Sequence, residues 1–289
     1  MKILFLNDLK KSTLQSDLLL HGLKSTVNEA VEYPRSNYMY GKFDVNNPFS
    51  LKTPAQIRNL FGIFDSDNAD RSDLINKVKN NYFDYVFVSD PRTVNSVLTE
   101  TIELIPSQRL IWIDGSDSVF PEYYIEKGIY FKKEIESGCD GTMSISLAIP
   151  EEKIKINPIF LKNKFLARSE ILTDYDIEKR FYSEIQSSYF TEIDVSLGWN
   201  SMLLYETMAN YSIPFYRQLD FVPDKIIDHL PKNLLEQVNQ LVRQKGLTWV
   251  YTDPDLYLEL QSKFFDYLRT HCTTQSLAKT VLDRIQHQQ

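Results

Sequence analysis

The chain has 289 residues, which is enough for about two domains of ordinary size, each with its own hydrophobic core. Its 43% hydrophobic and 25% charged residues exclude wholesale disorder and a coiled coil. The chain carries 32 Lys and Arg against 39 Asp and Glu, and this net charge of -7 argues against binding nucleic acid mainly through its phosphates.

The N-terminal apolar run and the two cysteines exclude further classes of protein. Residues 3–6 are too few for the core of a signal peptide or for a membrane span, so we expect a cytoplasmic protein without integral membrane contact. Cys139 and Cys272 lie far apart and lack the spacing of zinc ligands, so we expect no disulfide framework and no bound metal.

The N-terminal half alternates short apolar runs with amphipathic segments. Strands are predicted at residues 2–6, 28–33, 85–88, 110–113 and 128–131, and helices at residues 14–23, 73–80 and 91–104. Residues 35–72 are rich in Pro, Asn, Asp and aromatic side chains, which predicts an elaborated loop with one short helix. This alternation indicates a parallel sheet with helices on both faces.

A charged, proline-containing segment at residues 146–158 predicts a linker, so we place the two domains at 1–150 and 151–289. Beyond it, strands are predicted at residues 165–167, 190–195, 212–215 and 247–251. Helices are predicted at residues 176–187, 199–210 and 232–245, followed by two closing helices that start at 255 and 273. The predicted fold class is therefore α/β, with two Rossmann-like domains that face each other across a cleft. We allow for the last helix to pack back on the N-terminal domain.

The predicted cleft is the expected ligand site, because open parallel sheets bind ligands beyond the carboxyl ends of their strands. A dinucleotide cofactor normally follows a GxGxxG motif after the first strand, whereas residues 7–11 contain no glycine. The P-loop motif is absent from the sequence as well. Hydride transfer and P-loop phosphoryl transfer are therefore disfavoured.

Residues 197–210 carry the most specific signal for a ligand. Gly198 stands where a predicted strand passes into a helix, and a glycine there lets a bound anion approach the N–H groups of the helix N-terminus. Glu206 follows about two turns later, where a carboxylate can accept hydrogen bonds from a ribose diol. The alternative is a plain helix start at Gly198 and a solvated carboxylate at Glu206.

The same stretch resembles a known family. Similarity to the donor-domain signature of exostosin-like and CgeB-like glycosyltransferases of the GT-B type is found at Gly198-Trp199, Tyr205-Glu206, Ala209-Asn210, Ile213-Pro214, Pro223 and Pro231-Lys232. The N-terminal half adds matches at residues 17–23, 33–35, 113–117, 130–134 and 148–150. The resemblance implies a metal-independent transferase that moves a sugar from a UDP- or GDP-sugar to an acceptor hydroxyl of a glycan or another molecule.

On this resemblance, the first domain binds the acceptor and the second domain binds the nucleotide sugar. The donor contacts that it implies come from Gly198, Trp199, Asn200, Tyr205 and Glu206. The family often has charged side chains around its Gly-Trp pair, whereas positions 200–204 are uncharged in this chain. Other cations would then have to meet the diphosphate, and the candidates are Lys132, Lys133, Arg168 and Arg217.

The uncharged positions 200–204 leave a second function open. The chain is then a catalytically silent GT-B-like protein that binds a nucleotide, a glycan or a protein partner. A third hypothesis is a phage or viral glycosyltransferase that acts on modified DNA bases. The net charge of -7 counts against nucleic acid as a partner, without excluding it.

Two groups near the N-terminus are candidate general bases for the acceptor hydroxyl. Asp17 and His21 stand at positions i and i+4 of the first predicted helix, so the carboxylate can orient the imidazole. Asp8, at the end of the first strand, is the alternative base. The structural alternatives are a surface pair for Asp17 and His21, and a turn or helix cap for Asp8.

Acceptor binding is predicted at two places. Asp114 and Asp117 follow the end of a strand and can bind acceptor hydroxyls, with a turn role as the alternative. Tyr38 and Tyr40 can form a platform for a sugar, although aromatic residues in a long loop more often pack that loop down.

The diphosphate contacts predicted for Lys132 and Lys133 also have an alternative. The two residues can simply be solvated lysines at the end of a strand.

Overall fold

The computed structural model describes residues 1–7, 12–42, 52–91, 101–118, 127–135, 141–154, 162–167, 178–193, 200–222 and 229–288. The chain forms two compact units. Unit 1 comprises Met1–Ser146 together with Thr274–Gln289, and unit 2 comprises Leu147–Thr273. Each unit contains a parallel β-sheet with helices.

Unit 1 contains a six-stranded parallel sheet. Its strands are β1 (Lys2–Leu6), β2 (Glu29–Tyr33), β3 (Tyr85–Val88), β4 (Leu110–Asp114), β5 (Ile129–Lys132) and β6 (Thr142–Ser144). They lie in the order β2-β1-β3-β4-β5-β6, and all neighbours are parallel. β3, β4 and β5 are buried along their whole length, which explains their continuous apolar runs. The parallel sheet predicted for the N-terminal half is confirmed.

The edge strand β6 was not predicted from the sequence. It has three residues, all of them half-buried, and it pairs only with β5 among the described strands. A strand of this length shows no period of hydrophobic residues, so only its pairing with β5 defines it.

The structure describes three α-helices before β3, and the first two begin at residues with side-chain caps. They are α1 (Leu14–Thr26), α2 (Pro54–Leu60) and α3 (Leu74–Lys79). The side chain of Thr13 caps α1 by accepting a hydrogen bond from the Ser16 N–H. A capping box of Thr53 and Gln56 starts α2. The helix predicted at residues 91–104 lies mostly outside the described residues.

Unit 2 contains a three-stranded parallel sheet with the order β7-β8-β9. Its strands are β7 (Lys164–Ala167), β8 (Ser188–Glu192) and β9 (Ile213–Phe215). Its helices are α4 (Glu178–Ser187), α5 (Met202–Ala209), α6 (Lys232–Lys245), α7 (Trp249–Thr252) and α8 (Pro254–His271). Strand and helix again alternate up to α6.

The strand predicted at residues 247–251 is wrong, because this segment forms the short helix α7. Trp249 is buried there, and its ring packs against those of Phe190 at 5.9 Å and Tyr257 at 6.2 Å between centroids. A buried apolar run of four or five residues is compatible with a strand or a helix, and the packing of the indole decides between them.

The long helix α8 packs one face onto the core of unit 2. Its buried residues include Tyr257, Leu260, Phe264 and Leu268, which recur with helical spacing. The opposite face carries exposed charged residues such as Glu259 and Lys263. Within the described ranges, no helix is long and apolar enough to cross a membrane.

The last helix, α9 (Thr274–Gln286), belongs to unit 1, where it packs along α1. The contact is closest at Gly22, in the middle of α1. A Cβ atom at this position would lie 1.9 Å from the carbonyl oxygen of Thr274. Glycine costs a helix interior about 1 kcal/mol relative to alanine, and the close approach of α9 explains why it is present.

We expect the substitution Gly22→Ala to lower the free energy of unfolding by about 2 kcal/mol, because α9 must move away from α1 to admit the methyl group. This loss exceeds the helix propensity that alanine contributes. Urea unfolding measures the effect. Ser25→Ala on the exposed side of α1 is the control and should change the stability by less than about 0.5 kcal/mol. Equal stabilities of the two variants would contradict the close packing.

Candidate functional site

The carboxyl edge of the unit 1 sheet carries buried polar residues at its switch point. β1 and β3 are neighbours, but the chain leaves β1 towards β2 and leaves β3 towards β4. Ligands of open α/β sheets bind where neighbouring connections diverge in this way. Asn7 follows β1, and Ser89 and Asp90 follow β3, all of them buried. This edge is therefore the first candidate site.

Asp17, near the start of α1, is buried and accepts several hydrogen bonds. Its Oδ2 accepts hydrogen bonds from the Tyr38 hydroxyl at 2.5 Å, Gln56 Nε2 at 2.7 Å and Ser12 Oγ at 3.2 Å. Lys52 Nζ lies 3.8 Å from the same oxygen. Burial, together with the Asp17 charge, raises the pKa of Tyr38 well above its usual value. Asp17 therefore holds the loop after β2 against the start of α1.

His21 lies one turn further along α1 and is buried. Its Nδ1 is 2.8 Å from Oγ1 of Thr274, and its ring stacks on Phe64 with 5.5 Å between centroids. The expected hydrogen bond from the His21 imidazole to the Asp17 carboxylate is not among the described contacts of Asp17. Thr274, the first residue of α9, orients the imidazole instead. The role of His21 as a base stays a prediction.

A buried ion pair joins the ends of β4 and β5. Lys132 Nζ lies 3.0 Å from Oδ2 of Asp114 and donates to Oγ of Ser116 at 2.8 Å. The Tyr130 hydroxyl donates to the same carboxylate oxygen at 2.5 Å. Burial disfavours the charged carboxylate, but the hydrogen bonds from Tyr130 and Ser116 and the Lys132 charge hold the pKa of Asp114 below its ordinary value. Lys132 would have to leave this pair to meet a diphosphate.

Asp117 and Lys133 form a second ion pair at the same edge. The Asp117 side chain is 68% exposed, in contrast to buried Asp114. The loop between these two carboxylates lies directly against α1, because a Cβ atom at Gly115 would be 2.4 Å from Oγ1 of Thr13. Four of the residues predicted to contact the acceptor or the diphosphate thus form ion pairs with one another: Asp114 with Lys132, and Asp117 with Lys133.

Tyr38 and Tyr40 are 8% and 9% exposed, so neither ring presents an open face to a sugar. The Tyr40 hydroxyl donates to Oε1 of Glu32 at 2.7 Å, just as the Tyr38 hydroxyl donates to Asp17. Burial and the Glu32 charge raise the pKa of Tyr40. Both rings pack the loop down, which is the structural alternative to the sugar platform.

The carboxyl edge of the unit 2 sheet is the second candidate site. α5 follows β8 through a short connection, so this helix begins at that edge. Ser201 is its N-cap residue, but its side chain makes no cap hydrogen bond, and its buried Oγ has no hydrogen-bond partner within the described chain. The Leu204 N–H donates to the carbonyl oxygen of Ser201 at 3.2 Å. The other N–H groups of the first turn keep their partial positive charge without a cap from the Ser201 side chain.

The predicted residues around this helix start are only partly described. Gly198, Trp199 and Arg168, and also Asp8 in unit 1, lie outside the described residues. Asn200 is buried, and its Oδ1 accepts a hydrogen bond from the Tyr205 hydroxyl at 2.8 Å.

Glu206 is buried on the face of α5 that contacts α4. The Tyr182 hydroxyl donates to its Oε1 at 3.2 Å, and one turn further Gln186 donates to Oδ1 of Asn210 at 2.6 Å. The alternative of a solvated helix carboxylate is therefore wrong. The contact of Tyr182 with Glu206 was not predicted from the sequence. Tyr182 and Gln186 are four residues apart, as are Glu206 and Asn210, so each pair lies on one face of its helix. This equal spacing is the sequence signal that could have paired the two faces.

Arg217 lies two residues beyond β9 and pairs with Glu192, the last residue of β8. The guanidinium meets the carboxylate through two nitrogens, Nε to Oε1 and Nη2 to Oε2, the latter at 3.2 Å. Arg217 is 62% exposed and Glu192 is 20% exposed. The predicted cation thus reaches the carboxyl edge of the unit 2 sheet. Glu192 was not predicted, because its partner is 25 positions away.

The fold and these edges define an α/β protein built on parallel sheets with charged groups at their strand ends. No family model matches the chain, and no curated protein matches it. In fold, the chain is similar to Anabaena Alr3699/HepE in complex with UDP, and to the same protein in complex with UDP and glucose. Each comparison has a TM-score of 0.50 and 9% identity, over 99% of this chain and 100% of that chain. At this identity the likeness shows a shared fold.

The substitution Lys132→Met should lower the free energy of unfolding by about 3 kcal/mol, because it leaves the Asp114 carboxylate buried without its cation. Lys263→Met is the control, since Lys263 and its partner Glu259 are both exposed, and it should cost less than about 1 kcal/mol. Urea unfolding of both variants makes the comparison. Equal losses would show that the buried pair does not hold this edge together.

Proposed function

We propose that the chain is a glycosyltransferase that transfers a sugar from a UDP- or GDP-sugar to an acceptor hydroxyl. One observation carries the proposal: a buried carboxylate, Glu206, stands in the second turn of a helix whose N-terminus is not capped by the side chain of its own serine. The fold likeness to Alr3699/HepE, which was solved with UDP and with UDP and glucose, supports it. The resemblance of Gly198-Trp199 and Tyr205-Glu206 to exostosin-like and CgeB-like enzymes points the same way.

The donor would bind at the carboxyl edge of unit 2. Its diphosphate would accept hydrogen bonds from the N–H groups at the start of α5 and from the Ser201 hydroxyl, and Arg217 would add a positive charge. Glu206 comes five residues after Ser201, about 7.5 Å along the helix axis, and would accept hydrogen bonds from the ribose diol. These groups would stabilise the diphosphate charge without a metal ion, as the family resemblance implies.

The acceptor would bind at the carboxyl edge of unit 1, where Asp117 offers an exposed carboxylate to hydroxyl groups. In the transfer, a base removes the acceptor hydroxyl proton while the acceptor oxygen bonds to the anomeric carbon. The bond from that carbon to the diphosphate oxygen breaks, and its electron pair leaves with the nucleotide. His21 remains the proposed base, and Asp8 remains the alternative.

The donor-site proposal is tested by titration with UDP. Glu206→Gln keeps the size of the side chain and its hydrogen bond from Tyr182, but it loses the charge that binds the ribose. We expect the Kd for UDP to rise about 10- to 100-fold. Glu184→Gln on α4, which removes a surface ion pair with Lys164, is the control and should stay within about twofold. Unchanged affinity in Glu206→Gln would remove Glu206 from the site.

The role of His21 is tested with UDP-glucose, with water or an added acceptor receiving the sugar. His21→Gln should lower turnover about 100-fold or more and leave the Kd for UDP unchanged, because the base acts on the acceptor. Thr274→Val removes the hydroxyl that faces Nδ1 but keeps the imidazole. Equal loss of turnover in the two variants would show that His21 acts through packing against α9.

A catalytically silent nucleotide-binding protein is the second candidate function. It is favoured by the first turn of α5, where Met202, Leu203 and Leu204 are buried and supply no positive charge to a leaving diphosphate. On this hypothesis the wild-type chain binds UDP but neither transfers nor hydrolyses the sugar. Modified DNA bases are the least supported acceptor, because the net charge is -7.

A further inference from the structure

The ion pair of Glu192 and Arg217 differs from the other charged pairs at the strand ends. In unit 1, the Lys132 side chain is fully buried and its ammonium is engaged by Asp114 and Ser116. Arg217 keeps most of its surface exposed while its guanidinium is engaged through two nitrogens. An exposed arginine in this position can exchange one anionic partner for another.

The guanidinium of Arg217 can bind a carboxylate or a phosphate in the same way. A carboxylate and a phosphate each present two oxygens to the two parallel N–H groups of a guanidinium, so they compete for the same pair of donors. Glu192 accepts from both donors of Arg217: Nη2 donates to Oε2 at 3.2 Å, and Nε contacts Oε1. Its negative charge also stands at the edge where the diphosphate would bind, and repels it.

The position of Glu192 connects this pair to the proposed donor site. Glu192 ends β8, and the chain then continues directly to the connection that leads into α5. Glu192 and Phe215 are opposite each other in the parallel pairing of β8 with β9, so Arg217 projects from the neighbouring strand end. Both residues of the pair therefore belong to the edge at which the helix N-terminus opens.

We propose that Glu192 is an internal competitor of the donor diphosphate, which holds Arg217 in the empty site and weakens nucleotide binding. This inference rests on the proposed function, because it assumes a nucleotide diphosphate at this edge. Glu192 is a positioning residue, since it acts on the nucleotide through Arg217. Its function would be to limit affinity for the nucleotide product, so that UDP leaves after transfer.

The test is calorimetric titration of the full chain with UDP and, separately, with uridine. Glu192→Gln should bind UDP about three- to fivefold more tightly than the wild type, because the competing charge is removed and the shape is kept. Its affinity for uridine should not change, since uridine has no phosphate. In an Arg217→Gln background, the gain for UDP from Glu192→Gln should be smaller.

A matched control removes a carboxylate from another exposed arginine pair of unit 2. Asp220→Asn breaks the pair with Arg243, changes the net charge by the same amount and should leave the UDP affinity within about twofold. If Glu192→Gln binds UDP no better than the wild type, or gains equally for uridine, the inference is overturned and the proposed function stands. If the wild type binds neither UDP nor GDP, both the proposed function and the inference fail.

Discussion

Every strand pairing in the described parts of the two sheets is parallel, and this arrangement determines where the charged groups lie. Neighbouring parallel strands all end at one edge of their sheet, and each must be followed by a crossover that returns the chain to the other edge. Strands that are covered on both faces have little room for polar side chains, so charged groups collect where the strands end. Asp114 and Lys132 end β4 and β5, and Glu192 ends β8, in accordance with this rule.

Burial then divides these charged groups into two kinds. A buried charge needs partners to remain ionised, and Asp17, Asp114 and Lys132 each have several. These residues hold loops and strand ends in place, and their hydrogen-bonding capacity is used within the protein. Asp117 and Arg217 have the same chemistry but open surfaces, so they can exchange a protein partner for a ligand.

The two sheets present different groups at their edges. Unit 1 offers an exposed carboxylate held by a lysine, which suits hydroxyl groups. Unit 2 offers an exposed arginine and a helix start, which suit an anion. The net charge of -7 is therefore compatible with phosphate binding, because the attraction comes from a few local groups.

Local patterns of residues were enough to predict several helices and strands of this protein. β1, β3 and α6 were predicted nearly residue for residue, because buried runs and helical periods are properties of consecutive residues. The same pattern placed Asp114 at a strand end and Glu206 within a helix. It failed at β6 and α7, where three or four residues show no period.

The contacts between side chains that are distant in the sequence could not be predicted in this way. His21 contacts Thr274 across 253 positions, and Lys132 contacts Asp114 across 18. His21 was predicted to pair with Asp17 because the two residues share a helix face. In the structure, Asp17 instead accepts hydrogen bonds from Tyr38 and Gln56. The physical reason is that a local pattern reports how far a residue is buried, whereas its hydrogen-bond partner depends on which distant elements pack against it.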